Sequence, residues 1–127
     1  MTVRTSFSVP FCAGKARPRF SGRHAYKTAA ETLHEGAIAL AFEEARGEKA
    51  PKDRPVNVRI VATKESKRAG EPFTSKPDAD NIAKLVLDAL NGKAWHDDSQ
   101  IVSLDVVKAD FTENVNRISV DIEWGDV

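Results

Sequence analysis

The sequence lacks the features that mark disulfide-linked, secreted and membrane proteins. Its 127 residues include one cysteine, Cys12, so no disulfide forms within the chain and zinc binding through paired cysteines is excluded. No apolar run approaches the roughly 18 residues that a membrane-spanning helix needs, and no charged-then-apolar secretory leader is present. Hydrophobic residues (41%) and charged residues (30%) occur in ordinary globular proportions. We therefore expect one cytoplasmic domain, residues 1–127.

The sequence also lacks net charge, with 19 basic and 19 acidic residues, which by itself argues against a nucleic-acid partner. The charges are nevertheless segregated along the chain. Residues 1–30 contain six basic and no acidic residues, whereas residues 76–110 contain four lysines against seven aspartates, a net charge of −3. A basic segment beside an acidic one suits a metal-dependent nuclease, because the first holds phosphates and the second holds the metal. The alternative is that the basic segment is only a solvated loop.

Arg17 and Arg19 flank a stiffening proline and precede Phe20, an arrangement that interleaves fork-shaped hydrogen-bond donors with an aromatic ring. This pattern favours contact with DNA. The candidate DNA-binding residues come from this segment and from a partly basic loop at residues 64–75 with the lysine that follows it: Lys15, Arg17, Arg19, Arg23, Lys27, Lys67, Arg68 and Lys76.

The periodicity of apolar residues predicts an α+β (mixed α/β) domain with about four strands in one sheet and two main helices. Strands are predicted at residues 3–11, ending near Pro10, and at 56–63, 101–108 and 118–124. Helices are predicted at residues 26–46 and 82–90, the second closed by Asn91-Gly92. Residues 12–25 are predicted to form a loop, and the last two strands are predicted to pair as a hairpin.

The most informative segment is Lys76-Pro-Asp-Ala-Asp-Asn-Ile-Ala-Lys84, followed by Asp97-Asp98-Ser-Gln. Pro77 suits a helix entrance, which predicts Asp78 at the N-cap and Asp80 in the first turn. A spacing of four residues then places Asp80, Lys84 and Asp88 on one polar stripe. Clustered carboxylates repel one another unless a cation binds them, so the segment favours a Mg²⁺ site for phosphodiester chemistry.

Each of these residues also has an ordinary structural interpretation. Asp78 is a common helix cap, and Asp80 with Lys84 is a common surface ion pair worth about 0.3–0.5 kcal/mol. Asp97-Asp98 alone is compatible with a loop turn. Whether the entrance of the next strand returns to the helix entrance depends on the fold, and the spacing leaves that open.

Residues 76–102 resemble the central signature of the RusA family of Holliday junction resolvases. The shared elements are Asp78-Ala-Asp80-Asn81, a lysine on the same helix, Asp88-Ala-Leu and Asp97-Asp-Ser-Gln100 before a strand. The segment Gly14-Lys-Ala-Arg-Pro-Arg19 is similar to a basic loop of members encoded by phages and prophages. One departure is Ala79, where a larger apolar residue is common in the family.

The resemblance implies a small Mg²⁺-dependent endonuclease that acts as a homodimer and resolves four-way DNA junctions by paired, symmetric nicks, in recombination and repair. Matched residue by residue, it implies that Asp78, Asp80 and Asp98 are the essential carboxylates and metal ligands, with Asp97 in support, and that Lys84 is the essential lysine. Two other functions stay open: a module that binds branched DNA without cleaving it, and a general metal-dependent nuclease without junction preference.

Overall fold

The computed structural model describes residues 1–15, 19–21, 24–26, 28–65, 71–109 and 115–125. In this structure alternating apolar residues form a four-stranded sheet, and two helices cover one of its faces. The sheet contains β1 (Thr2–Val9), β4 (Val56–Thr63), β5 (Ile101–Lys108) and β6 (Arg117–Gly125). The remaining elements are β2 (Arg19–Ser21), β3 (His24–Tyr26), α1 (Ala29–Glu44), α2 (Ala79–Leu90) and a short 3₁₀ helix (Asp98–Gln100). The predicted α+β domain with four sheet strands and two helices is confirmed.

The strand order is β1-β6-β4-β5, and only the β4–β5 pair is parallel. A parallel pair needs a crossover connection, and α2 lies within the segment that connects β4 to β5. β6 instead inserts between β1 and β4 and is antiparallel to both. The predicted hairpin of the last two strands is therefore wrong, because β4 lies between β5 and β6.

The prediction of a loop across residues 12–25 is also wrong in part. β2 and β3 pair as an antiparallel ladder in which Phe20 lies opposite Ala25. α1 begins at Ala29, three residues later than predicted, because the Thr28 hydroxyl accepts a hydrogen bond from the Glu31 N–H and caps the helix.

The core lies between the helices and the inner face of the sheet. Val58 and Ile60 of β4 lie opposite Ile122 and Val120 of β6, and all four are buried. Burial of each such side chain contributes about 1.5–3 kcal/mol. The outer face is polar and carries an Arg59–Asp105 ion pair at 3.6 Å. Within the described ranges, no helix has both the length and the apolar character that a bilayer crossing requires.

Candidate active site

Asp78 lies at the entrance of α2, and its carboxylate has no partner among the residues that the structure describes. Asp78 is the N-cap residue, with an extended backbone (φ −69°, ψ 150°), as predicted. Its side chain nevertheless makes no capping hydrogen bond, unlike that of Thr28 at the start of α1. The purely structural interpretation of Asp78 as a helix cap therefore loses its main support, since a cap stabilises a helix through that bond.

The polar stripe of α2 faces a cleft between this helix and β5. The cleft has a volume of about 620 Å³, and its polar lining comes from the stripe and from the turn before β5: Asp80, Lys84, Asp88 and Asp98. Its apolar walls are Ala79, Ala83, Leu87, Leu104 and Val106. Because α2 connects the parallel strands β4 and β5, the entrance of β5 carries Asp98 to the same cleft as Asp80.

Lys84 is exposed and lies in this cleft without a carboxylate partner among the residues that the structure describes. Asp80, one helical turn earlier, likewise has no hydrogen bond or ion pair within the described ranges. The i,i+4 ion pair that the spacing allows is thus not formed. No described residue therefore occupies either charged group.

Asp98 accepts a hydrogen bond from a buried tryptophan. The indole N–H of Trp95 donates a hydrogen bond of 2.7 Å to Asp98 Oδ1, and Trp95 is fully buried. Asp98 itself is half-buried at the start of the 3₁₀ helix that leads into β5. The sequence signal for a contact between Trp95 and Asp98 is their separation of three residues, which lies within one turn of the chain.

Asp97 caps the turn before β5. Its carboxylate accepts a hydrogen bond of 2.9 Å from the Ser99 N–H and caps the 3₁₀ helix, while the Gln100 side chain closes the reciprocal half of the capping box. Hydrogen bonds from the side chain and the backbone N–H of Ser99 hold the pKa of Asp97 below its ordinary value. Asp97 therefore shapes the turn that presents Asp98.

Lys15 is held by acidic side chains of both helices. Its ammonium lies 2.7 Å from Glu35 Oε1 and 2.9 Å from Asp88 Oδ2, with Glu31 Oε2 at 3.9 Å, and its side chain is only 12% exposed. Burial acts to lower the pKa of Lys15, but the hydrogen bonds and charges of Glu35 and Asp88 outweigh it and raise that pKa. The predicted DNA contact at Lys15 is thus an ammonium already surrounded by carboxylates.

The chain around Lys15 also lies against the entrance of α2. The Lys15 N–H donates a hydrogen bond of 2.9 Å to the Asn81 carbonyl. A Cβ on Gly14 would lie 2.8 Å from the Cβ of Pro77, so only glycine permits this approach. Residues 14 and 15 of the basic segment are therefore fixed to the helix that carries Asp80 and Lys84.

Asp78 lines a second depression, of about 510 Å³, beside the α2 entrance. This depression also contains Lys64 and Lys76, of which Lys64 was not among the predicted DNA contacts. Lys64 donates hydrogen bonds to the Ser75 hydroxyl (3.2 Å) and to the Lys76 carbonyl. The sequence signal for placing Lys64 beside the α2 entrance was its position at the end of β4, where the basic loop begins.

The structure thus brings Asp80, Lys84 and Asp98 together and places Asp78 at the neighbouring depression. Across the described ranges, no group of three histidine, cysteine, aspartate or glutamate side chains converges to hold a metal. Of the other predicted DNA contacts, Arg19 lies in β2. Five lie outside the described residues: Arg17, Arg23, Lys27, Lys67 and Arg68.

A cleft that combines carboxylates with an unpaired lysine is typical of enzymes that hydrolyse phosphodiesters with a metal. The family model described as endodeoxyribonuclease RusA matches residues 10–123, and the chain belongs to the RusA family. Nucleases of this family generally depend on a divalent metal.

The chain is also similar to the uncharacterized protein YqaN of Bacillus subtilis (strain 168). The two are 42% identical over 73 residues, which cover 54% of this chain and 50% of that protein. The match therefore spans about half the length of this relative.

Proposed function

We propose that the protein is a divalent-metal-dependent endodeoxyribonuclease that resolves four-way DNA junctions by paired, symmetric nicks. The observation that carries the proposal is the cleft between α2 and β5, where Asp80, Lys84 and Asp98 meet in a chain of the RusA family. Such an enzyme acts in recombination and repair, and its DNA substrate places it in the cytoplasm.

The carboxylates of the cleft fit a hard cation such as Mg²⁺. Mg²⁺ is usually bound by one or two carboxylates together with waters and substrate phosphates, so Asp80 and Asp98 satisfy its needs without a third ligand. Asp80 has no partner among the described residues, and Asp98 has only the Trp95 N–H on one oxygen. Asp78, whose carboxylate makes no capping hydrogen bond, is the further carboxylate that we assign to the binding of the metal at the DNA. When bound, the metal polarises the phosphoryl group and generates a nucleophile from water.

Lys84 supplies positive charge at the scissile phosphate. Its ammonium is exposed in the cleft and has no carboxylate partner in the described part of the chain, so its charge is not already neutralised. A fixed cation beside a phosphate stabilises the negative charge that develops in the transition state.

The basic residues of positions 17–27 and of the loop before α2 hold the DNA backbone. Lys76 is exposed and precedes the helix entrance directly. Lys15 is reassigned, because its ammonium is bound by Glu35 and Asp88. We propose that Lys15 anchors the basic segment to α2, while Arg17, Arg19, Arg23 and Lys27 contact phosphates, together with Lys67 and Arg68.

Paired nicks require two clefts, and a homodimer supplies them. A four-way junction is nearly two-fold symmetric, so a two-fold dimer presents equivalent sites to equivalent strands. Val102 (67% exposed) lies on β5, the edge strand beside the cleft, and supports this edge as the dimer contact. Analytical ultracentrifugation should give twice the chain mass of 13.9 kDa, whereas a monomer at concentrations that cleave junctions would contradict the dimer.

The experiment that tests the function compares a four-way junction, a linear duplex and a splayed duplex as substrates, each with Mg²⁺ and with EDTA. We expect cleavage of the junction with Mg²⁺ only. Equal cleavage of all three substrates would favour a general metal-dependent nuclease. Tight junction binding without cleavage under any metal would favour a non-cleaving binding module.

A further inference from the structure

Trp95 differs from the other core residues because its one polar atom contacts a residue of the candidate active site. The residue is fully buried, and its indole N–H donates to Asp98 Oδ1 at 2.7 Å. A buried indole N–H needs an acceptor, and a bond to an ionised carboxylate is stronger than one to a neutral group. In the described part of the chain this is the one hydrogen bond of the Asp98 side chain, so its other oxygen, Oδ2, carries no protein partner.

We propose that Trp95 is a positioning residue, which fixes the Asp98 carboxylate so that Oδ2 is presented to the divalent metal. This inference rests on the proposed function, because it assumes that Asp98 binds the metal. Groups that hydrogen-bond to metal ligands fix ligand orientation, and their loss typically lowers metal affinity by about 10- to 100-fold. Trp95 can act in this way because it is fully buried, so that the packed core restrains its ring.

Gln100 holds the turn from the other side. Its Oε1 accepts hydrogen bonds from the N–H groups of His96 (2.7 Å) and Asp97 (3.2 Å). Its Nε2 donates to the carbonyls of Pro51 (2.9 Å) and Arg54 (3.1 Å). The backbone of the 95–100 turn is thus tied to the loop before β4. Among the described residues, only Trp95 restrains the side chain of Asp98.

The competing interpretation is that Asp98 only satisfies a buried indole. Both interpretations predict a loss of stability when Trp95 is replaced, so stability cannot separate them. Metal affinity can, because a carboxylate that serves only the core has no reason to bind a cation. Trp124 provides a matched control: it is 8% exposed in the same core, and no side-chain hydrogen bond from it occurs among the described residues.

The first test compares Trp95→Phe with Trp124→Phe in the full chain, with Mn²⁺ as the probe. Free Mn²⁺ is measured by electron paramagnetic resonance, and the Mg²⁺ concentration for half-maximal junction cleavage is measured in parallel. We expect Trp95→Phe to weaken Mn²⁺ binding and to raise the Mg²⁺ requirement by about tenfold or more, while saturating Mg²⁺ restores most of the rate. Trp124→Phe should leave both metal constants unchanged. Equal constants in the two variants would overturn the proposal.

The second test does not depend on the folding of a Trp95 variant. The sequence has two tryptophans, so Trp124→Phe leaves Trp95 as the only one. We expect Mn²⁺ to quench Trp95 fluorescence saturably in this protein, and the further change Asp98→Asn to abolish the saturable part.

The outcomes of this titration separate the inference from the proposed function. If the protein cleaves junctions with Mg²⁺ but its Trp95 emission does not respond to Mn²⁺, the positioning role of Trp95 is refuted and the proposed function is not. A protein that neither binds Mn²⁺ nor cleaves would refute both.

Discussion

Replacement of Lys84 by alanine separates the catalytic interpretation of this lysine from the structural one. Lys84 is exposed on α2 and has no ion pair in the described part of the chain, so its removal breaks no observed contact. Alanine is also the best helix former, so we expect the free energy of unfolding to change by no more than about 0.5 kcal/mol.

The effect on the reaction should be much larger. Loss of one charged donor to a transition state costs about 100-fold in rate, which corresponds to about 2.7 kcal/mol. We therefore expect Lys84→Ala to bind four-way junctions nearly as well as the wild type but to cleave them about 100-fold more slowly in single-turnover measurements. Lys84→Arg retains the charge but alters the donor geometry, so it should recover only part of the rate.

Lys93→Ala is the matched control, since Lys93 is an exposed lysine just beyond the same helix and does not line the cleft. It should cleave at the wild-type rate. A Lys84→Ala protein that cleaves within about threefold of the wild type would refute the catalytic role, because a single donor to the transition state is worth more than that.

Three further changes test the other parts of the site. Asp80→Asn should abolish cleavage and retain junction binding in a gel-shift assay, because it removes a metal ligand and no basic residue; near wild-type cleavage would contradict the metal site. Replacement of Arg17 and Arg19 by alanine should weaken junction and duplex binding alike and should flatten the salt dependence by about one unit per lost phosphate contact, whereas an unchanged slope would make the segment a solvated loop. Lys15→Met should lower the free energy of unfolding by about 3 kcal/mol, because it removes the ammonium that binds the carboxylates of Glu35 and Asp88. Since the folded state raises the pKa of Lys15, the stabilisation by Lys15 is complete below the ordinary pKa of 10.5 and is lost as the pH rises through the raised pKa. Denaturant titrations that give the wild type and the variant equal stability at neutral pH would contradict the role of Lys15 as an anchor.

The local pattern of the sequence was sufficient for the elements and for the stripe on α2. Apolar residues at helical spacing define the buried face of this helix, and the same spacing places Asp80, Lys84 and Asp88 on the opposite side. The strands followed from alternation, as in β6, where Ile118, Val120 and Ile122 are buried.

The pairing of strands could not be predicted in this way. β5 and β6 both contain β-branched residues and follow one another in sequence, which suits a hairpin equally well. The choice of β4 as the neighbour of both depends on the parallel crossover through α2 and on long-range packing. The convergence of Asp98 with Asp80 depends on the same crossover, which is why the spacing alone left it open.

The surroundings of Lys15 could not be predicted for a related reason. Its neighbours in sequence are basic, which suggests a phosphate contact, whereas the acids that hold it come from α1 and α2, 20 residues away at Glu35 and far along the chain at Asp88. Trp95 lies in the core, but its hydrogen bond to Asp98 depends on the turn that the 3₁₀ helix closes.

We propose above that two α2–β5 clefts, one in each subunit of a dimer, cut a four-way junction symmetrically with a divalent metal. The most direct measurement uses a supercoiled plasmid that extrudes a cruciform, with a plasmid lacking the inverted repeat as control. Paired nicks across the cruciform convert the plasmid to linear DNA, whereas unpaired nicks give open circles. We predict linear product from the cruciform plasmid with Mg²⁺, and none with EDTA, with the control plasmid or with Asp98→Asn. Open circles alone, or equal cutting of the control plasmid, would contradict the claim.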